Sequence, residues 1–306
     1  MLLVAVDWGT SSLRGALLSA DASVLEERSF ARGVLTVNKG SHSDGFAAVF
    51  DNCFGDWMLP NRLCLMAGMA GSQQGWMEAK YCPCPAGFAD IARQLVWVTS
   101  IGAQRIAIVP GLSIDTNGIP DVMRGEETQI FGALQLLGLS GASSQVRLVL
   151  PGTHSKWVTV KNQRITDFST WMTGELYALL RQHSILARTL PPGDSADHND
   201  TAFEQGVAYA LRGDGLLHTA FSTRTLSLFK RMATDALTSY LSGLVIGEEI
   251  KCQQLNSGDS VVVVGAEALT KKYTQALLQL GVSTRCVGNQ ATWHGLRAIA
   301  DTLNVP

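Results

Sequence analysis

The stretch Val4-Ala5-Val6-Asp7-Trp8-Gly9-Thr10-Ser11-Ser12-Leu13-Arg14 constrains the fold of this chain most. A short apolar run ends in an aspartate, small turn residues follow, and a second apolar run covers 13–18. Such runs bounded by Gly, Thr and Ser read as two strands of a hairpin. Gly9 lets the backbone turn tightly and approach a ligand closely. The hydroxyls and backbone N–H groups of Thr10, Ser11 and Ser12 suit the oxygens of a phosphate. Asp7 stands where one carboxylate can hold Mg²⁺ through the water that this ion keeps.

The same strand pattern continues beyond the hairpin. Residues 2–6, 13–18 and 24–30 form an expected antiparallel meander. Helical spacing over 43–58 follows, with Ser43 or Asp44 as N-cap. A buried strand over 63–67 runs into Gly68-Met69-Ala70-Gly71-Ser72-Gln73-Gln74-Gly75-Trp76. Glycines with amide and hydroxyl side chains at a strand end suit close approach to a polyol, which singles out Gly71, Ser72 and Gln73. A loop is expected over 81–87 and a strand over 105–109, and after Gly125-Glu126-Glu127 a helix continues to Leu137.

Residues 138–144 are rich in Gly and Ser and read as a hinge, dividing the chain into 1–138 and 139–306. The second part starts over. A strand at 146–150 meets the turn Pro151-Gly152-Thr153-His154-Ser155, and strands follow at 156–160 and 163–168. This repeats the opening plan rather than the opening sequence. Helices are expected at 173–180, 200–211, 226–232 and 234–252. A buried strand at 261–264 then runs into Gly265-Ala266 and a helix over 269–280, an arrangement in which a helix N-terminus can face a nucleotide. The last helix, 290–303, is expected to pack back on the first domain.

With 306 residues, the chain exceeds one compact core and suggests about two domains. Hydrophobic residues at 46% against 16% charged describe a well-buried globular protein. A net charge of −2 gives no general electrostatic reason to bind nucleic acid or an anionic membrane. There is no run near the ~20 apolar residues of a membrane helix and no signal-peptide pattern at the N-terminus, so a cytoplasmic location is expected. Cys53, Cys64, Cys252 and Cys286 read as small core residues. Cys82 and Cys84 lack the second ligand pair of a zinc site.

Two phosphate-type hairpins across a hinge, with a third element for adenosine, resemble the actin/hexokinase/heat-shock ATPase superfamily. This implies an α/β fold of two similar ribonuclease-H-like domains with an interdomain cleft. A narrower resemblance rests on four stretches in order along the chain: Val6 to Thr10, Met123 to Gln129, Leu150 to Trp157 and Met172 to Leu176. They resemble the signatures of the 2-dehydro-3-deoxygalactonokinase family. The resemblance implies phosphorylation of 2-dehydro-3-deoxy-D-galactonate at its terminal hydroxyl by ATP with Mg²⁺, in galactonate breakdown. The expected partner is therefore a small sugar acid, and the oligomeric state, a homodimer among the options, stays open.

That resemblance also assigns residues. Asp7 is the expected Mg²⁺ aspartate, and Gly9, Thr10, Ser11 and Arg14 are candidates for the phosphates. Gly152, Thr153 and His154 form the second phosphate turn, while Gly265 and Ala266 pack against adenine or ribose. Related sugar kinases place an acid at a helix start ahead of the second hairpin, which here is Glu126 or Glu127, with Glu126 preferred as the base. Arg124 is the first candidate for the substrate carboxylate and Lys39 the second, with Gly71, Ser72 and Gln73 lining the sugar. Trp8 and Trp76 are either apolar walls of the site or core. Competing readings are a kinase for the gluconate-derived epimer, a non-kinase actin-like ATPase, and a purely structural module.

Overall fold

The computed structural model describes residues 2–38, 44–60, 62–99, 105–139, 145–192 and 198–303. The chain divides into two compact units. One takes Met1–Val146, Val158–Ser169 and Val287–Pro306; the other takes Arg147–Trp157 and Thr170–Cys286. Of the expected hinge, 140–144 lie outside the described residues.

The first unit opens with strands β1 (Leu3–Trp8), β2 (Leu13–Leu18) and β3 (Val24–Phe30). They form the expected meander: β1 pairs antiparallel with β2 from Leu3↔Leu18 to Trp8↔Leu13, and β2 pairs antiparallel with β3. Helix α1 (Phe46–Phe54) is shorter than its apolar spacing predicts. Gly45 is its N-cap, and Ser43 lies outside the described residues. Strand β4 (Leu63–Gly68) runs parallel to β1 and is buried throughout. Such a strand has no polar face, which is why its sequence is a continuous apolar run.

Next come β5 (Cys82–Pro83), α2 (Phe88–Arg93), β6 (Val96–Trp97) and β7 (Arg105–Ile108). The hairpin of β8 (Leu112–Thr116) and β9 (Ile119–Met123) then leads into α3 (Glu126–Leu136). Neither hairpin strand shows in the sequence pattern, because both are short and mostly solvated. Strand β5, inside the expected 81–87 loop, pairs with β8.

Further along are β10 (Val146–Leu150), β11 (Ser155–Lys161), β12 (Arg164–Trp171), α4 (Thr173–His183) and α5 (Asp200–Arg212). After them come α6 (Leu216–Thr219), α7 (Ser222–Leu228), α8 (Leu237–Lys251) and β13 (Ser260–Val264). The chain closes with α9 (Glu267–Leu278), β14 (Ser283–Val287) and α10 (Ala291–Asp301). The helix expected at 226–232 lies earlier, as α7, because Lys230 at φ +51° leaves the helical conformation. Strand β14 was not expected, and its mostly exposed face explains why it carries no apolar run.

Two sheets carry this architecture, with strand orders β3-β2-β1-β4-β7-β6 and β12-β11-β10-β13-β14. Each sets three consecutive strands side by side and adds a later strand, parallel to the first of them, on its other side. The expected repeat of plan is therefore a repeat of strand order.

Trp8 is fully buried and meets Phe46 edge-on at 5.2 Å, so it is core rather than a wall of the site. Trp76, half-buried, packs against the same cluster. Cys53 and Cys64 are buried as expected, but Cys252 and Cys286 are exposed. Cys252 is the C-cap of α8, and Cys286 sits on the mostly exposed strand β14.

Two helix pairs approach at distances that only glycine permits. In the first unit, a Cβ on Gly132 of α3 would stand 1.7 Å from the carbonyl of Ala291, and one on Gly295 of α10 would stand 1.8 Å from that of Thr128. In the second, a Cβ on Gly243 of α8 would stand 2.1 Å from the carbonyl of Phe203 on α5. Ala ordinarily favours a helix over Gly by about 1 kcal/mol. Here overpacking against backbone outweighs that gain, so Gly295→Ala is expected to lower stability by about 1–3 kcal/mol. Urea unfolding checks this, and an unshifted or raised midpoint contradicts it.

Candidate functional site

In the first unit the residues singled out from sequence gather around the C-terminal ends of β1 and β4. The turn between β1 and β2 is closed by the Gly9 N–H donating to the Ser12 carbonyl at 2.8 Å, and Thr10, Ser11 and Ser12 are exposed on it. A second backbone segment supports this turn: Val34 N–H donates to the Gly9 carbonyl at 3.0 Å. Asp7 and Arg14 lie opposite each other across the hairpin, and the Arg14 guanidinium donates to Asp7 Oδ2 at 2.5 Å. Arg14 therefore partners the aspartate rather than pointing to bulk solvent, and its guanidinium lies 5.8 Å from the Trp293 ring.

Two glycines bring the acidic helix to this place. Gly68, at φ +86°, ends β4, and a Cβ there would stand 3.1 Å from Asp7 Oδ1 and 2.8 Å from the Trp8 carbonyl. Gly125, at φ +105°, precedes α3, and a Cβ there would stand 3.4 Å from Gly68 Cα. Both are in a backbone region that residues with a Cβ rarely enter. Asp7, Gly68 and the start of α3 are thus neighbours.

Glu126 and Glu127 occupy the first turn of α3, where the helix dipole favours negative charge. Their surroundings differ. Glu126 is half-buried, and its Oε2 accepts the backbone N–H of Arg124 at 2.9 Å. Glu127 is wholly buried; its Oε2 accepts the Gly125 N–H at 2.6 Å, and its Oε1 has no hydrogen-bond partner among the described residues. Burial first, and then the neighbouring Glu126 charge, push the Glu127 carboxyl up to about 8.

A cavity of about 510 Å³ lies on the other side of Arg124, lined by Ser72, Gln73, Glu78, Lys80, Tyr81 and Arg124 among others. Arg124 Nη2 donates to the Ala79 carbonyl at 2.8 Å, and the guanidinium stacks 4.4 Å from the Tyr81 ring. Its Nε and Nη1, like the Ser72 hydroxyl, are buried and have no partner among the described residues. Gly71 makes room for this guanidinium, since a Cβ there would stand 2.7 Å from Nη1. Ser72, Gln73 and Arg124 therefore share one cavity, and Gly71 adjoins it. Lys80 and Tyr81 were missed: they lie in a loop with no motif, and only the aromatic next to a cation hinted at them. Lys39 lies outside the described residues.

In the second unit, Gly152, Thr153 and His154 form the turn between β10 and β11. The start of α4 sits on that turn. A Cβ on Gly174 would stand 2.5 Å from the Gly152 carbonyl, the Glu175 N–H donates to the Thr153 carbonyl at 3.0 Å, and the Glu175 carboxylate pairs with His154 at 2.5 Å. Glu175 thus has a partner beyond the helix dipole. Lys156 is buried rather than a solvated strand end, and its ammonium donates to Thr170 Oγ1 at 2.7 Å. Gly265, at φ +149°, leaves β13 beside the carbonyl of Pro151, and Ala266 is the N-cap of α9. The adenosine and phosphate candidates of this unit are accordingly adjacent.

The raised Glu127 carboxyl has a consequence for stability. Between its unfolded value near 4.5 and its folded value of about 8, the native state holds a proton that the unfolded state releases. Stability is then expected to fall as pH rises through that window. Gln, which mimics the protonated acid, removes this part of the dependence. Urea midpoints at pH 5.5 and 8 for wild type and Glu127→Gln check it, and identical slopes for the two proteins contradict it.

Known proteins match this chain along nearly its full length. The family model of 2-keto-3-deoxy-galactonokinase matches residues 7–299. A 2-dehydro-3-deoxygalactonokinase of Escherichia coli (strain K12) is 38% identical over 301 residues, covering 97% of each chain. A Rhizobium meliloti (strain 1021) protein named as a probable 2-dehydro-3-deoxygalactonokinase is also 38% identical, over 97% of this chain and 95% of its own. A crystal structure from Sinorhizobium meliloti, of a protein described with the same activity, superposes with a TM-score of 0.89 at 35% identity over 99% of both chains. Component A of (R)-2-hydroxyglutaryl-CoA dehydratase from Acidaminococcus fermentans, 12% identical over 98% of this chain and 96% of its own, has a TM-score of 0.51 and shares the fold alone. The fold is the two-domain α/β fold of actin-like ATPases and sugar kinases, and the chain belongs to the 2-keto-3-deoxy-galactonokinase family.

Proposed function

We propose that the protein transfers the γ-phosphoryl group of ATP to the terminal hydroxyl of 2-dehydro-3-deoxy-D-galactonate, giving the 6-phosphate and ADP. Family membership gives the reaction class, and the cavity beside Arg124 carries the substrate reading. Its buried guanidinium edge and the Ser72 hydroxyl have no partner among the described residues, and a carboxylate with neighbouring hydroxyls supplies the acceptors they need. Tyr81 holds the guanidinium plane and Gly71 leaves space for it. Gln73 and Lys80 add polar groups to the same wall.

Phosphoryl transfer needs the attacking oxygen held in line and the developing charge stabilised. The substrate hydroxyl oxygen bonds to the γ-phosphorus, the bond to the ADP oxygen breaks, and the hydroxyl proton passes to a carboxylate. Glu126 is that base. It is half-buried at a helix start and can reach a ligand, whereas Glu127 is sealed inside and already carries a proton near neutrality. Glu127 acts as a positioning acid beneath it. Thr10 and Ser11 of the first turn, and Gly152, Thr153 and His154 of the second, receive phosphate oxygens. Gly265 and Ala266 lie along the nucleoside. Arg14 holds Asp7 in place.

The residues fit Mg²⁺. Asp7 offers one partly exposed carboxylate whose Oδ1 faces the space left by the missing side chain of Gly68, which suits an ion that keeps most of its water. When bound, the ion neutralises phosphate charge. Use of ATP makes the cytoplasm the working compartment, and no helix among the described residues is long and apolar enough to cross a membrane.

ADP release with Mg²⁺ and ATP is expected with 2-dehydro-3-deoxygalactonate and absent without a sugar acid. Equal release without it favours a plain ATPase, and equal release with the gluconate epimer favours a broader kinase. Arg124→Met is expected to raise KM for the sugar acid about 10- to 100-fold, on the scale of a charged hydrogen bond, and to leave KM for ATP alone. Glu126→Gln is expected to cut kcat about 10²- to 10⁴-fold with nucleotide binding kept. Near-normal turnover of that variant moves the base elsewhere.

A further inference from the structure

A buried carboxylate in the second unit has no part in the reaction as described. Glu249, near the end of α8, is 2% exposed and accepts three side-chain hydrogen bonds. Trp157 Nε1 donates to its Oε1 at 2.6 Å, and the Tyr273 hydroxyl donates to its Oε2 at 2.7 Å. The Thr173 hydroxyl donates to the same Oε2. Tyr273 also bonds the Ser155 hydroxyl at 2.9 Å. A charge buried at this depth is costly unless donors face it, and here three side chains do.

The donors come from the elements that shape the candidate nucleotide site. Ser155 and Trp157 lie two apart on β11, hence on one face, directly after the turn Gly152 to His154. Thr173 is the first residue of α4, whose next two residues sit on that turn. Tyr273 is on α9, the helix that follows Gly265 and Ala266. Thr173 and Tyr273 line a small cavity, about 100 Å³, together with Gly152, Gly174, Tyr177 and Lys272. One carboxylate therefore joins the phosphate turn, the helix resting on it and the helix of the nucleoside motif.

We infer that Glu249 is a positioning residue for the nucleotide, holding β11, α4 and α9 in the arrangement that binds ATP. This rests on the reading of the second unit as the ATP-binding unit. All three partners donate to the carboxylate as it stands, and Trp157 Nε1 can do nothing else. Gln in its place keeps the Trp157 bond only with its N–H₂ group turned to the two hydroxyls, which must then reverse to accept, and the Ser155–Tyr273 bond has to rearrange with them.

The test is calorimetric titration of wild type, Glu249→Gln and Tyr273→Phe with Mg²⁺ and a non-hydrolysable ATP analogue, alongside KM for ATP and for the sugar acid. Wild type is expected to bind. Glu249→Gln is expected to weaken analogue binding and raise KM for ATP tenfold or more, with KM for the sugar acid within twofold. Tyr273→Phe shifts the same two quantities in the same direction by less. Variants that bind as wild type does, or that change both KM values equally, or kcat alone, overturn the role. If Glu249→Gln does not fold, Tyr273→Phe decides, because it removes only one hydroxyl. A wild type that binds no nucleotide overturns the ATP reading of this unit itself, and the positioning role with it.

Discussion

The contact of helix backbone on helix backbone, possible only where both side chains are reduced to hydrogen, fixes where the acids of this protein stand. Gly132 and Gly295 let α3 press into α10, and the Thr128 carbonyl that meets Gly295 lies one residue beyond Glu127. Gly243 does the same for α8 against α5, less than two turns before Glu249. Packed interiors do not deform continuously, so a helix seated this closely cannot slide to suit a ligand. Each acid inherits the rigidity of its helix.

The two buried carboxylates answer the same desolvation cost in different ways. Glu127 has one backbone donor, a neighbouring acid and an oxygen with no partner among the described residues, and it meets the cost by keeping its proton. Glu249 is raised by burial as well, but its three side-chain donors pull against that rise. The first arrangement favours the neutral form of Glu127 next to Glu126. The second ties separate elements together. Sequence alone shows a Glu-Glu pair in both places, Glu126-Glu127 and Glu248-Glu249, and nothing in the letters tells them apart.

What was legible follows the strength of the local pattern. Strands β1, β2 and β4 and the two turns could be read because apolar runs end abruptly in small polar residues there. The β8–β9 hairpin and β14 could not, since their faces are largely solvated and alternate over too few residues. Glu249 was hidden for the opposite reason: α8 is buried nearly all round, so a polar residue in it carries no amphipathic signal. Asp7, Gly125 and Arg124 stand in motifs that the sequence singles out, whereas Tyr81, which stacks on Arg124, comes from a segment without regular spacing.

On the proposed reading, the cavity beside Arg124 is made ready before its ligand arrives. Stacking on Tyr81 and the bond to Ala79 fix the plane of the guanidinium, and Nε and Nη1 stay buried with no acceptor among the described residues. Each such unsatisfied group costs about 1–3 kcal/mol in the free protein. A ligand that supplies planar acceptor oxygens removes that cost as it binds, while one lacking them leaves it in place. Under the proposed substrate reading, discrimination arises as much from what an incorrect ligand fails to satisfy as from what the correct one gains. Gly71 belongs to the same arrangement: a Cβ there would stand 2.7 Å from Nη1 and crowd the guanidinium where it lies on Tyr81.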